Sequence, residues 1–141
     1  MLSKLLIPID GSDNSLRALE YAIFLSKKTG AHVTALHVME NLPFVHVQSE
    51  RALNDLVSKY QNEAKNILDN SKEIGNRNGV DVETTLIKGD ASSSIIDFSR
   101  KGNFDTIIMG RRGTGRLKQI VLGSTSNKVL SQSDSTVIVV K

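Results

Sequence analysis

The chain of 141 residues contains no cysteine. Disulfides and thiolate metal sites are thereby excluded, and an intracellular location, the cytoplasm, is the simpler reading. No apolar run approaches the ~20 residues that a membrane-spanning helix needs, so no membrane partner is expected. The start, Met1-Leu2-Ser3-Lys4, runs into a short apolar segment without a long apolar stretch and small-residue cleavage site, so no secretory signal is expected. Neither sign of charge dominates. The net charge is +3 and the basic residues are spread over several segments, so no nucleic-acid partner is expected. The three histidines, His32, His37 and His46, make no metal pattern. His32 and His37 are five apart on an expected strand and so face opposite sides, and His37 reads as a packed, hydrogen-bonded strand residue. There is no Gly-x-Ser-x-Gly elbow, which leaves an acyl-transfer triad without support. No internal repeat and no low-complexity segment is visible.

What is present is a glycine-rich stretch directly after an apolar run: Met109-Gly110-Arg111-Arg112-Gly113-Thr114-Gly115, then Gly123-Ser124-Thr125-Ser126. It reads Gly, two residues, Gly, nine residues, Gly-Ser. Glycine lets backbone approach a ligand closely. Successive N–H groups in such a turn form an anion-binding hollow, and a helix starting at Ser124 would add free N–H groups and the positive end of its dipole. Arg111 and Arg112 add charge, and a guanidinium can hold phosphate through two hydrogen bonds, although both could equally point to solvent. No Gly-Lys-Ser/Thr follows, so this is not a P-loop. Lys118 stands where the dinucleotide fingerprint needs its third glycine. On spacing alone the stretch could still mark only a turn.

Hydrophobic residues are 39% and charged residues 23%, the balance of a soluble globular domain, and the length suits one domain with one core. Residues 5–9 read as a strand buried on both faces, with Pro8 near its end. Asp10-Gly11-Ser12 makes a tight turn, and Ser12 or Asp13 caps a helix over residues 14–29, with Gly30 as its left-handed cap. Residues 32–38 form a second strand. An irregular stretch containing Pro43 leads into a long helix over residues 50–78. Leu53, Leu56, Tyr60, Ala64, Ile67, Leu68 and Ile74 recur there at helical spacing; Gly75 is expected to fray it and Gly79 to close it. Residues 80–88 alternate as a half-exposed edge strand. Asp90 caps a third helix with Ile95, Ile96, Phe98 and Ser99 on its buried side. A fourth strand over residues 105–109, a short helix over residues 124–132 and a last strand over residues 136–140 follow.

Alternating strands and helices predict parallel β-α-β units, a three-layer α/β/α sandwich of five strands and four helices. Ligands in such folds bind beyond the carboxyl ends of the strands, where the strand order reverses. If the first and fourth strands are neighbours there, Asp10, Val38 and Gly110 converge on one crevice.

These pieces resemble the universal stress protein family over essentially the whole length. Pro8-Ile9-Asp10-Gly11-Ser12 looks like its first-strand signature, Leu36-His37-Val38 its second-strand ending, and Gly89-Asp90-Ala91 the opening of its third helix. The glycine motif is similar, without a gap, to that of the ATP-binding subgroup. The resemblance implies strand order 3-2-1-4-5, ATP binding with Mg2+ or Mn2+, and a homodimer through the last strand, Val137 to Val140. It implies that Asp10 faces ribose and phosphates and helps hold the cation, that Pro8 and Ile9 lie against the nucleotide, and that Val38 offers backbone groups to the adenine edge. It further implies that Met109 packs beside base or sugar, while Gly110, Gly113, Gly123 and Ser124 cradle the phosphates with Thr125 and Ser126 adding donors.

Each reading has a plainer counterpart. Asp10 could be only a turn former. Asp97, Glu63 and Asp69 are most simply solvated charges, and the long helix most simply covers one sheet face. Phe44 and Val45 lie in a stretch that could fold over a nucleotide. Val137 to Val140 could be an interior strand, yet an apolar edge without proline invites pairing with its own copy. The leading expectation is a nucleotide-dependent regulator of stress responses acting on an unidentified protein partner. A slow ATPase, or autophosphorylation at Ser124 or Thr125, an adenylate-handling transferase and a nucleotide-free scaffold are the alternatives. No residue that would orient an attacking water is evident.

Overall fold

The computed structural model describes residues 2–41, 49–111 and 122–141. Nine elements alternate: β1 (Lys4–Pro8), α1 (Asp13–Thr29), β2 (His32–Met39), α2 (Glu50–Arg77), β3 (Val82–Lys88), α3 (Ala91–Lys101), β4 (Thr106–Gly110), α4 (Ser124–Gln132) and β5 (Thr136–Val140). The strands form one parallel sheet in the order β3-β2-β1-β4-β5. The fold class and order are those expected.

Strand periodicity divides the core in two. Successive side chains point to opposite faces. Leu5, Ile7, Val33, Ala35 and Ile108 therefore pack with Ala18, Leu19 and Ala22 of α1 and Leu68 of α2. Leu6, Leu36, Ile107 and Met109 pack on the other face with Ile95 and Ile96 of α3 and Val129 of α4. Both faces are covered, which is why the central strands read as unbroken apolar runs.

The helix ends follow their capping residues. Ser12 caps α1, its Oγ accepting from the Ser15 N–H at 3.2 Å, and Gly30 closes it in the left-handed conformation with φ 77°. Asp90 caps α3. β3 is an edge strand with an alternating burial pattern.

Two expectations for α2 need correction. Leu53 is 42% and Tyr60 37% exposed, and burial begins only at Ala64. A 28-residue helix is about 42 Å long, whereas a strand of eight residues spans only about 27 Å, so the first turns overhang the sheet. Gly75 does not fray the helix, which runs on to Arg77. It is buried, and a methyl group there would collide with the Val82 side chain and the Val80 carbonyl. The absent side chain is what lets α2 close onto β3.

Candidate functional site

β1 is the strand at which the order reverses, with β2 on one side and β4 on the other. Its chain leaves the sheet through Ile9, whose N–H donates to the Leu36 carbonyl at 2.8 Å. The Ile9 carbonyl accepts from Nδ1 of His37 at 2.7 Å. A carbonyl can only accept, so Nδ1 carries the proton and His37 is the hydrogen-bonded strand residue expected. Asp10 follows. The Ser12 N–H donates to its Oδ1 at 2.9 Å, and Gly11 between them takes φ 84°, the left-handed region that suits glycine. Asp10 Oδ2 accepts no bond from the described residues, so it remains open for a ligand.

Next to it, Gly110 ends β4. A methyl group there would lie 2.7–2.8 Å from the backbone and Cβ of Asn14, so the first turn of α1 is seated on the missing side chain. On the opposite side Ser126, buried in α4, donates its hydroxyl to the Gly110 carbonyl at 3.0 Å. The Arg111 N–H donates to the Val140 carbonyl at 3.0 Å, and the Arg111 carbonyl accepts from the Gly123 N–H at 2.9 Å. Those two bonds hold the start of α4 against the end of the sheet. Gly123 supplies no side-chain cap to α4, and the first bond within the helix is Asn127 N–H to the Gly123 carbonyl at 2.9 Å. The N–H groups of Ser124, Thr125 and Ser126 precede that bond, as they do at any helix start.

These parts enclose a crevice. Its floor, about 90 Å³, is lined by Pro8, Ile9, Asp10, Val38, Met109, Gly110, Thr125 and Ser126 together with Leu36, Ala91 and Ile95. A wider hollow of about 410 Å³ shares Asp10, Val38 and Ala91 with it and continues along α2 past Tyr60, Glu63 and Ile67. Eight of the expected site residues thus meet in one place. Gly123 and Ser124 stand at the start of α4 and do not line the floor. Arg111 is tied through its backbone into the end of the sheet. Arg112 and Gly113 lie outside the described residues, as do Phe44 and Val45. Leu36, Ala91, Ile95, Tyr60, Glu63 and Ile67 are among the lining residues that sequence reasoning did not assign to the site. Two of them carried a signal, Leu36 in Leu36-His37-Val38 and Ala91 in Gly89-Asp90-Ala91. Glu63 is exposed, as a solvated charge should be, but it also forms part of the second wall.

The arrangement suits a phosphorylated ligand. An uncapped helix start attracts an anion, and the glycine-edged floor admits backbone contact. A divalent cation is compatible with it only in one form. Among the described residues no group of three or more His, Cys, Asp or Glu side chains converges, so Asp10 would be one carboxylate ligand and phosphate oxygens and water would supply the rest.

A parallel α/β sandwich with a crevice at its switch point defines a class with mononucleotide-type sites. The family model for the universal stress protein family matches residues 1–141, and the chain belongs to that family. It is 33% identical over 141 residues to universal stress protein MJ0531 of Methanocaldococcus jannaschii, covering all of this chain and 83% of the relative. It is 32% identical over 148 residues to universal stress protein YxiE of Bacillus subtilis, covering both chains fully. The solved structure of MJ0577 from Methanocaldococcus jannaschii superposes with a TM-score of 0.82 at 30% identity, over 100% of this chain and 96% of that one. An Arabidopsis thaliana family member solved with AMP bound shares the fold, with a TM-score of 0.72 at 16% identity over 99% of this chain and 91% of that one.

Proposed function

We propose that this chain, acting as a single domain, binds an adenine nucleotide, ATP with Mg2+ or Mn2+, and serves as a nucleotide-dependent regulator in stress responses. One observation carries the reading: Asp10, Val38, Met109, Gly110, Thr125 and Ser126, drawn from three separate elements and the turn after β1, line one crevice at the strand-order reversal. The AMP bound to the Arabidopsis relative supports an adenine nucleotide as the ligand class this fold accepts. Val38 and Met109 then face base and sugar, and the α4 start faces phosphate. Asp10 directs its unpaired oxygen at the cation or the ribose. When bound, the cation supplies charge neutralisation on the phosphates. Nucleotide occupancy shifts the population of a partner-binding surface, and the partner is a protein.

We place the protein in the cytoplasm as a homodimer. Among the described residues β5 pairs only with β4 and leaves its other edge open, and Val137 to Val140 on it are half-buried.

The test is calorimetric titration of ATP with Mg2+ into wild type and Asp10→Asn. The reading requires one site per chain, with the variant losing the Mg2+ enhancement of affinity. Equal Mg2+ dependence in the two proteins would remove Asp10 from the cation. The ATP-to-ADP ratio after incubation separates a holder from a slow hydrolase.

A further inference from the structure

The ladder between β1 and β2 stops one rung short. In a parallel pair, alternate residues of a strand turn both N–H and C=O toward the same neighbour. On β2 the even-numbered residues face β1: the His32 N–H donates to the Ser3 carbonyl at 2.9 Å, and the Leu36 carbonyl accepts from the Ile9 N–H at 2.8 Å. Met39 faces β3 instead, its carbonyl accepting from the Gly89 N–H at 3.1 Å. Val38 therefore directs its N–H and C=O toward the β1 side, where that strand has just left the sheet. The next rung would run from the Val38 N–H to the Ile9 carbonyl. It is not formed. The register ends at Pro8 opposite Leu36, and the Val38 N–H has no acceptor among the described residues. His37 holds the Ile9 carbonyl in its place, through Nδ1 at 2.7 Å. A half-buried N–H without an acceptor is uncommon in a folded chain. This one belongs to a residue of the crevice floor, beside Leu36, Ile95 and Met109. His37 itself stands off the floor, in the wall of the wider hollow.

We propose that His37 is a positioning residue for the nucleobase. By claiming the Ile9 carbonyl it keeps the ladder from closing over Val38, and so holds a backbone donor and acceptor open to the crevice. The inference rests on the adenine-nucleotide reading above and adds how one base is told from another. The N–H and C=O of a single residue, side by side on one strand edge, match the N1 acceptor and the N6 amino donor of adenine. They do not match hypoxanthine, which carries N1–H and O6 at those places. Without the imidazole the Ile9 carbonyl is free to accept the Val38 N–H. The ladder then gains its missing rung, and the donor is lost to the base.

The experiment has two arms, each run on wild type, His37→Leu and His37→Asn. One follows amide hydrogen exchange by NMR in the nucleotide-free proteins. The other titrates ATP and inosine triphosphate, each with Mg2+. In wild type the Val38 amide exchanges fast, and His37→Leu slows it about tenfold or more, because the amide gains an acceptor. His37→Leu weakens ATP about 3- to 10-fold, the range of one hydrogen bond, and leaves inosine triphosphate within about twofold. His37→Asn, which keeps a side-chain N–H donor, retains both the fast exchange and the preference for ATP. A merely structural role would instead weaken both nucleotides together and would not slow the Val38 amide. A Val38 amide already slow in nucleotide-free wild type, or an ATP preference unchanged in His37→Leu, overturns this inference alone. A wild type that binds neither nucleotide overturns the inference and the reading beneath it together.

Discussion

Substituting Gly110 by alanine separates two reasons for a glycine at the head of a nucleotide motif. If the residue is glycine only so that phosphate can approach the backbone, the variant should fold as well as wild type and lose ligand. The structure gives a different first consequence. The new Cβ would sit 2.7 Å from the carbonyl carbon and oxygen of Asn14 and 2.8 Å from its Cβ. Ordinary contact begins near 3.4 Å, so either the first turn of α1 or the end of β4 must move by about half an ångström or more. Both are backbone in regular elements, and no flexible side chain can absorb the shift. Overpacking of this kind costs about 1–3 kcal/mol. For a domain of this size that corresponds to a fall of about 3–10 °C in melting temperature. Gly30→Ala is the control. Nothing among the described residues lies within 4 Å of its Cβ, and its cost is only that of an alanine at φ 77°, about 1 kcal/mol. Thermal and urea unfolding of the nucleotide-free proteins, followed by circular dichroism, would rank them. An unliganded Gly110→Ala that melts with wild type would refute the packing argument.

Burial raises the Asp105 carboxyl, but hydrogen bonds from Ser3, Lys4 and Thr106 outweigh it and bring its pKa from the usual 3.8 down to about 2. A lowered folded-state pKa means stability that is present above the unfolded value and lost as pH falls from about 4 toward 2, worth about 1–2 kcal/mol after allowance for solvent screening. The stability gap between wild type and Asp105→Asn in urea unfolding should therefore be constant from pH 5 to 7 and shrink below pH 4; a gap unchanged at pH 3 would contradict it. In β5, Thr136 donates its N–H to Asp105 and the Val140 carbonyl accepts from Arg111, so alternation turns the Val137 and Val139 backbone toward the open edge. Val139→Pro removes an outward donor while sparing the ladder to β4, so if the proposed homodimer forms through this edge, analytical ultracentrifugation should show a dimer for wild type and a monomer for the variant. A dimer that persists would exclude this edge as the interface.

Much of the architecture was legible in the sequence because each element carries its own period and its own punctuation. Ser12, Asp90 and Gly30 marked helix ends, and the alternation through Glu83 and Leu86 marked an edge strand. The strand order was not readable from periodicity. It came from the resemblance carried by Pro8 to Ser12 and the glycine motif. The overhang of α2 was invisible because the spacing of Leu53 and Tyr60 reports a helical face and not the length of the sheet beneath it. Gly75 was misread because a glycine that permits close packing and one that frays a helix look alike in one dimension. In the site, residues before or after strand ends were legible through turn chemistry, as with Asp10 and Gly110. Tyr60 and Glu63 were not, since they reach the crevice only through the angle at which α2 crosses the strands.

The account turns on whether the crevice holds an adenine nucleotide. The most direct measurement is mass spectrometry of the small molecules released when the purified protein is mildly denatured, with Gly113→Val purified alongside. The account predicts ATP or ADP at close to one per chain from wild type and none from the variant. No nucleotide released, together with no thermal shift on adding millimolar ATP, would contradict it and leave a dimeric scaffold as the better description.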